Sequence, residues 1–291
     1  MKSLFLITLL LSSLFAFSPI ISDSTTSNGR TTLIEFKKES GVQYQDIKHG
    51  KKRFKIFNHP LDDTKLYALV PMSYYQKLSN EKIKISYKEN KSLHSKFIFL
   101  KVEDGKYKKE EISVSKSKVN PQGKETKKRI SKEYAEAMRV YGTVTPKSYI
   151  SSKFILPLDT FITSDFGKAR VYNGSLKGYH SGTDFRAKVG TPIIASNDGV
   201  VALVKDRFYS GGTVLIDHGQ GIYTCYFHMS AFDVKVKQRV KKGQVIGLSG
   251  QSGRVTGPHL HFAVRINAVQ VDPLQFIELM NTKLLTTTKG I

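Results

Sequence analysis

Apolar and polar positions alternate in short runs through the first third of the chain, at 31–36, 54–57, 65–70, 82–87, 96–102 and 111–114. In 82–87 and 96–102 the polar partner is repeatedly lysine, the period-two signature of strands with one face in water. Asn, Asp and Gly separate the runs, and this spacing predicts a β-sandwich-like N-terminal domain over 23–119, with 23–30 as a mobile leader. The period then changes. Ile130, Tyr134 and Met138 recur every four residues, predicting a helix over 125–140 stopped by Gly142. With the Pro146-containing stretch that follows, it makes a short helical linker over 120–150. Past residue 151 glycine turns crowd among Val and Ile, and 200–205, 212–217, 222–228, 244–248 and 260–266 read as strands. They predict a C-terminal antiparallel β-sheet or barrel-like domain over 151–276, followed by a tail over 277–291. The fold class is mainly β.

The first residues add a different pattern. Lys2 is followed by an apolar run over 4–17, a basic start and hydrophobic stretch of the size of a secretory signal peptide. Residues 1–22 are therefore expected to export the chain to the periplasm or cell envelope, with an uncleaved N-terminal anchor as the alternative. Composition is consistent with that destination. The formal net charge is +22, with 46 Lys+Arg against 24 Asp+Glu, and most of the excess lies in the first 150 residues. A balance this basic suits a polyanionic neighbour, and export makes that neighbour the cell envelope, not nucleic acid. One cysteine in 291 residues excludes an internal disulfide framework and a thiolate-rich zinc site.

Candidate chemistry concentrates in the second half. His180 and Asp184 flank Ser-Gly-Thr, His228 ends Tyr226-Phe-His, and His259 and His261 bracket Leu260. In a strand, residues two apart share a face. His259 and His261 should thus point one way while Leu260 and Phe262 enter the core; the same parity places Tyr226 with His228, and Cys225 with Phe227 opposite. Imidazoles on rigid strands, joined by a carboxylate from a glycine turn, form a nitrogen and oxygen set suited to Zn²⁺. Arg254, in the loop before the His-x-His pair, and Tyr226 are candidate substrate contacts. His218, before Gly219 in a turn, reads as structural.

These stretches, with 162–167, 190–193, 198–201 and 240–247, make residues 154–276 resemble the lysostaphin-type, or LytM-like, zinc metalloendopeptidases of peptidoglycan. The resemblance implies one Zn²⁺ per chain held by His180, Asp184 and His261, with His228 and His259 as the catalytic histidines. The helix-borne His-Glu-x-x-His of many zinc proteases is absent, so no glutamate is placed as general base. The implied partner is the peptidoglycan stem peptide, cut at D-Ala–diaminopimelate crosslinks; envelope-associated proteins are possible further partners. Glycyl-glycine endopeptidase, D,D-carboxypeptidase and non-catalytic activator of another wall hydrolase remain alternatives. The filled ligand set weighs against the last. For the N-terminal domain, inhibition of the groove and a spacer or wall-binding role stand side by side.

Overall fold

The structure, a computed structural model, describes residues 19–113, 117, 121–174 and 176–286. The signal segment expected over 1–22 therefore lies largely outside the described residues. Among these, no helix is long and apolar enough to cross a membrane.

The first half is a two-sheet sandwich. One sheet orders the strands Ile20–Ile21, Thr31–Lys37, Lys65–Pro71 and Phe57–Asn58; the other orders Thr25–Ser27, Ser92–Glu103, Asn80–Glu89, Val42–His49 and Lys52–Phe54. Ile34, Phe36, Ala68 and Val70 of the first meet Ile47, Ile83, Ile85, Leu100 and Val102 of the second in a dry interior. This is the face-to-face packing that alternation demands. Val42–His49 is a strand that the sequence pattern did not single out, because three of its first five residues are Gln or Asp and mask the period. The leader expected over 23–30 is also ordered, Thr25–Ser27 adding in parallel to the edge at Lys101–Glu103, and Ile20–Ile21, at the end of the expected signal segment, pairs with Ile34 and Glu35.

The second half is built on an eight-stranded antiparallel sheet. Its main order is Ile162–Ser164, Thr183–Arg186, His259–Ile266, Ile222–Met229, Gly211–Asp217, Gly199–Arg207 and Arg239–Val240, with Val269–Val271 pairing outside that path onto His259–Ile266. One face, carrying Phe185, Leu260, Phe262, Val264, Tyr226 and Ile216, forms the main core. The sandwich docks on the same core. Leu33, Tyr67 and Leu69 alternate with its interior residues and so face the other way, into that cluster.

Three features depart from the sequence reading. Residues 277–285 are not a tail. Helix α2 (Pro273–Leu279), capped by Asp272 Oδ1 on the Leu274 and Gln275 amides, runs into a π-helical turn over Met280–Leu284. Phe276, Met280, Leu284 and Leu285 fill the main core, and Asn281 bonds both backbone groups of Phe154. The boundary at 119 is crossed as well. Lys109–Ile112 lies parallel to Ala169–Tyr172, which pairs antiparallel with Leu176–Tyr179. Finally, helix α1 (Lys124–Gly142) buries Glu133, Ala137 and Tyr141, one position round from the expected stripe, while Tyr134 is 64% exposed. Ala137 and Tyr141 pack on Tyr223, Cys225, Phe227 and Ala263, the sheet face opposite the main core. Glu133 is tolerated in this stripe because Arg129 Nε and the Phe208 amide both donate to its carboxylate.

Candidate active site

The five residues singled out in the sequence meet on the sheet face beside α1. Asp184 sits directly across from His261 in the strand pairing. Asp184 Oδ1 lies 2.9 Å from His180 Nε2 and 2.7 Å from His261 Nδ1, and the two ring nitrogens are 2.9 Å apart. All three side chains are buried. Gly182, between His180 and Asp184, is required by this approach. A Cβ there would stand 2.4 Å from the Phe262 carbonyl oxygen and 2.6 Å from His261 Nε2.

The protons are assigned by backbone acceptors. His180 Nδ1 donates to the Asp165 carbonyl at 2.7 Å, which leaves the Nε2 lone pair aimed at Asp184 and His261. His228 Nδ1 donates to the Ser252 carbonyl and His259 Nδ1 to the Gly257 carbonyl, each at 2.8 Å, so both keep Nε2 free. Their rings are 4.9 Å apart, and His259 Nε2 is 3.7 Å from Asp184 Oδ1. Burial pushes His228 down to about 3 and His261 down to about 4. Burial by itself would favour the neutral acid of Asp184, yet its contacts with His180 and His261 hold the carboxyl well below the ordinary range.

Asp184 is steadied from behind. Arg170 Nη2 donates to Oδ2 at 3.2 Å, leaving Oδ1 to face the histidines, and Arg170 Nε donates to Glu110 at 2.9 Å. Glu110 arrives on the strand that the first half adds to the Ala169–Tyr172 hairpin. Neither residue was legible in the sequence: Glu110 sits in a lysine-rich edge run and Arg170 in no recognisable motif.

One placement expected from the sequence changes. Tyr226 is not at the site. It lies fully buried in the main core, 5.4 Å from Phe262, and its hydroxyl takes a hydrogen bond from the Ser196 amide at 2.9 Å. The cause is a bulge. The step from Tyr226 to Met229 faces the shorter step from Val214 to Gly212, and His228 takes a φ of 63°. The extra residue turns His228 onto the face of Phe227, whose ring packs 5.4 Å from His261, and leaves Tyr226 inside. Arg254 does line the pocket beside the site. His218 is structural, buried between the Asp198 carbonyl and the Thr224 hydroxyl, each at 2.7 Å.

Three donor atoms from His180, Asp184 and His261 lie within 4.8 Å of one another. Two imidazole nitrogens and a carboxylate oxygen turned on one point are a borderline-soft donor set, and this chemistry fits zinc. Residues 178–273 match the model of Peptidase family M23. Over those residues the chain carries an M23 peptidase domain. A crystal structure described as a candidate M23 peptidase from Pseudomonas aeruginosa aligns over 86% of this chain and 94% of its own, with a TM-score of 0.67 and 28% identity. The likeness thus extends through the sandwich. The peptidoglycan DD-endopeptidase ShyA of Vibrio cholerae serotype O1 is 42% identical over 115 residues, 39% of this chain and 27% of ShyA. The DD-carboxypeptidase/endopeptidase Mpg of Neisseria meningitidis serogroup B is 44% identical over 95 residues, 33% of this chain and 22% of Mpg. The chain therefore spans about a quarter of the length of these curated relatives.

Proposed function

We propose that this protein is a zinc-dependent peptidoglycan hydrolase that cuts the D-Ala–diaminopimelate crosslinks of murein. The observation that carries the reading is the convergence of His180 Nε2, Asp184 Oδ1 and His261 Nδ1, with the free Nε2 atoms of His228 and His259 beside them. Names of the relatives support the substrate class.

In this reading His180, Asp184 and His261 hold the zinc ion. When bound, zinc supplies a Lewis acid for a peptide carbonyl and lowers the pKa of water toward ~7. His228 and His259, each anchored through Nδ1, present Nε2 to accept a proton from the attacking water or return one to the leaving amine. Arg170 keeps the Asp184 carboxylate turned, and Glu110 balances the charge of Arg170. The bulge at His228 and the strand register at His259 place the two imidazoles, and the Ser252 and Gly257 carbonyls of the intervening loop set their orientation.

The same reading places the protein in the periplasm or cell envelope. It rests on the basic, apolar opening of the sequence, and the +22 charge suits an anionic wall polymer. The test is digestion of purified murein from walls with diaminopimelate crosslinks and from walls with glycine bridges, with products identified by mass spectrometry. Conversion of D-Ala–diaminopimelate dimers to monomers is expected. Unchanged dimers in the presence of zinc would refute the assignment; release of terminal D-Ala alone, or cleavage confined to glycine bridges, would replace it.

A further inference from the structure

Beside the five site residues lies a cavity of about 220 Å³, walled on one side by Tyr134, Met138 and Tyr141 of α1. Four arginines line it: Arg170, Arg207, Arg254 and Arg265. Arg170 is committed to Glu110 and Asp184. The other three meet no carboxylate among the described residues. Arg254 is held between the rings of Tyr172 and Tyr209, its guanidinium carbon 4.4 and 4.6 Å from their centroids. Arg265 lies 4.2 Å over Tyr141 and donates Nη1 to the Ala268 carbonyl at 2.8 Å. Arg207 donates Nη2 to the Glu133 carbonyl at 3.0 Å, while its buried Nε has no partner.

Three half-buried guanidinium groups converging on a small cavity without a counter-charge are unfavourable in the empty protein and complementary to an anion. The planar fork of arginine suits a carboxylate, and aromatic stacking fixes its orientation without spending its donors. The cavity shares His180, His228 and His261 with the site, so the anion it takes belongs to the same molecule that reacts there. We propose that this pocket binds a free carboxylate of the substrate adjacent to the bond that is cut. The proposal rests on the peptidase reading above and sharpens it. In a D-Ala–diaminopimelate crosslink the acylated amine sits on a carbon that also carries a carboxylate. A glycine bridge carries no free carboxylate at the corresponding amide. The three arginines thus select diaminopimelate crosslinks over glycine bridges, and α1, supplied by the first half of the chain, forms a wall of the selecting pocket.

The test uses the full chain loaded with zinc and two non-hydrolysable crosslink analogues with a reduced D-alanyl amide. They differ only in whether the diaminopimelate carboxylate is free or amidated. A charged Arg–carboxylate contact supports at least about a tenfold preference for the free acid. Calorimetry should show that preference in the wild type, its loss in Arg254→Gln, its reduction in Arg265→Gln and its retention in Arg239→Gln, which lies outside the cavity. Equal affinities of the wild type for the two analogues would overturn the pocket, as would a preference surviving in both Arg254→Gln and Arg265→Gln. Murein digestion separates the two claims. A chain that cuts murein but binds both analogues equally keeps the peptidase reading and loses the pocket; one that discriminates but releases no muropeptide does the reverse.

Discussion

Replacing Gly182 with alanine adds one methyl group at the tightest point of the site. The new carbon would stand 2.4 Å from the Phe262 carbonyl oxygen and 2.6 Å from His261 Nε2, where ordinary contact begins at 3.4 Å. Neither neighbour is free to yield. The Phe262 carbonyl belongs to the strand paired with Thr183, and its side chain is fully buried; His261 is held by Asp184 and by the Phe227 ring. Relief therefore needs a movement of about 1 Å in the strand that carries His261. Overpacking of this kind costs roughly 1–3 kcal/mol of stability, and a ligand displaced by that distance should weaken zinc binding by about 100-fold. Chelator competition at neutral pH measures the affinity, and urea unfolding of the same preparations measures the stability. A Gly182→Ala protein that binds zinc within about threefold of the wild type would show that the Ser-Gly-Thr turn is not what sets the ligand geometry.

Glu110→Gln keeps an acceptor for Arg170 but removes the balancing charge, so zinc affinity should fall by about threefold to tenfold, a value discounted because Glu110 is partly exposed. The loss should shrink in high salt, and an unchanged affinity at low salt would leave Glu110 with no electrostatic part. Tyr226→Phe should lower stability by about 1 kcal/mol through its lost hydrogen bonds and leave the KM for murein peptides unchanged, because the hydroxyl faces Ser196 and Thr224; a raised KM would return Tyr226 to the site. Burial holds His218 down at about 4 against its ordinary 6.5. The unfolded chain binds that proton first, so stability is present above about 6.5 and is lost as pH falls toward about 4, by roughly 3 kcal/mol across the window. The stability gap between wild type and His218→Gln should therefore narrow from pH 7 to pH 4.5 in urea unfolding; a constant gap contradicts the assignment.

Much of this architecture was legible because burial imposes a period. The strands over 82–87, 96–102 and 260–266 announce themselves by alternation, and the five site residues by chemistry unusual for exposed loops. What failed did so for identifiable physical reasons. The parity rule misplaced Tyr226 because one bulge residue reverses every side chain beyond it, and nothing in Tyr-Phe-His marks a φ of 63°. The stripe of α1 was read one position off because it opens with a buried glutamate, satisfied by Arg129 and the distant Phe208 amide. The end of the chain was read as a tail because its anchoring partners, Phe154 and Leu33, lie far away in sequence. Glu110 and Arg170 become part of the site only when a parallel strand pairing joins the two halves. Such long-range pairings leave no local trace.

The central claim is that His261 holds the metal while His259, two residues earlier on the same strand face, acts on substrate or water. His261→Ala removes Nδ1, one of the three converging donors, whereas His259→Ala leaves His180, Asp184 and His261 intact. Zinc content of the two purified variants, by elemental analysis after dialysis, separates the roles in one measurement. The account predicts about one zinc per chain in His259→Ala, with murein hydrolysis lowered by roughly 10²–10⁴-fold, and almost none in His261→Ala. Zinc retained by His261→Ala and lost from His259→Ala would contradict it.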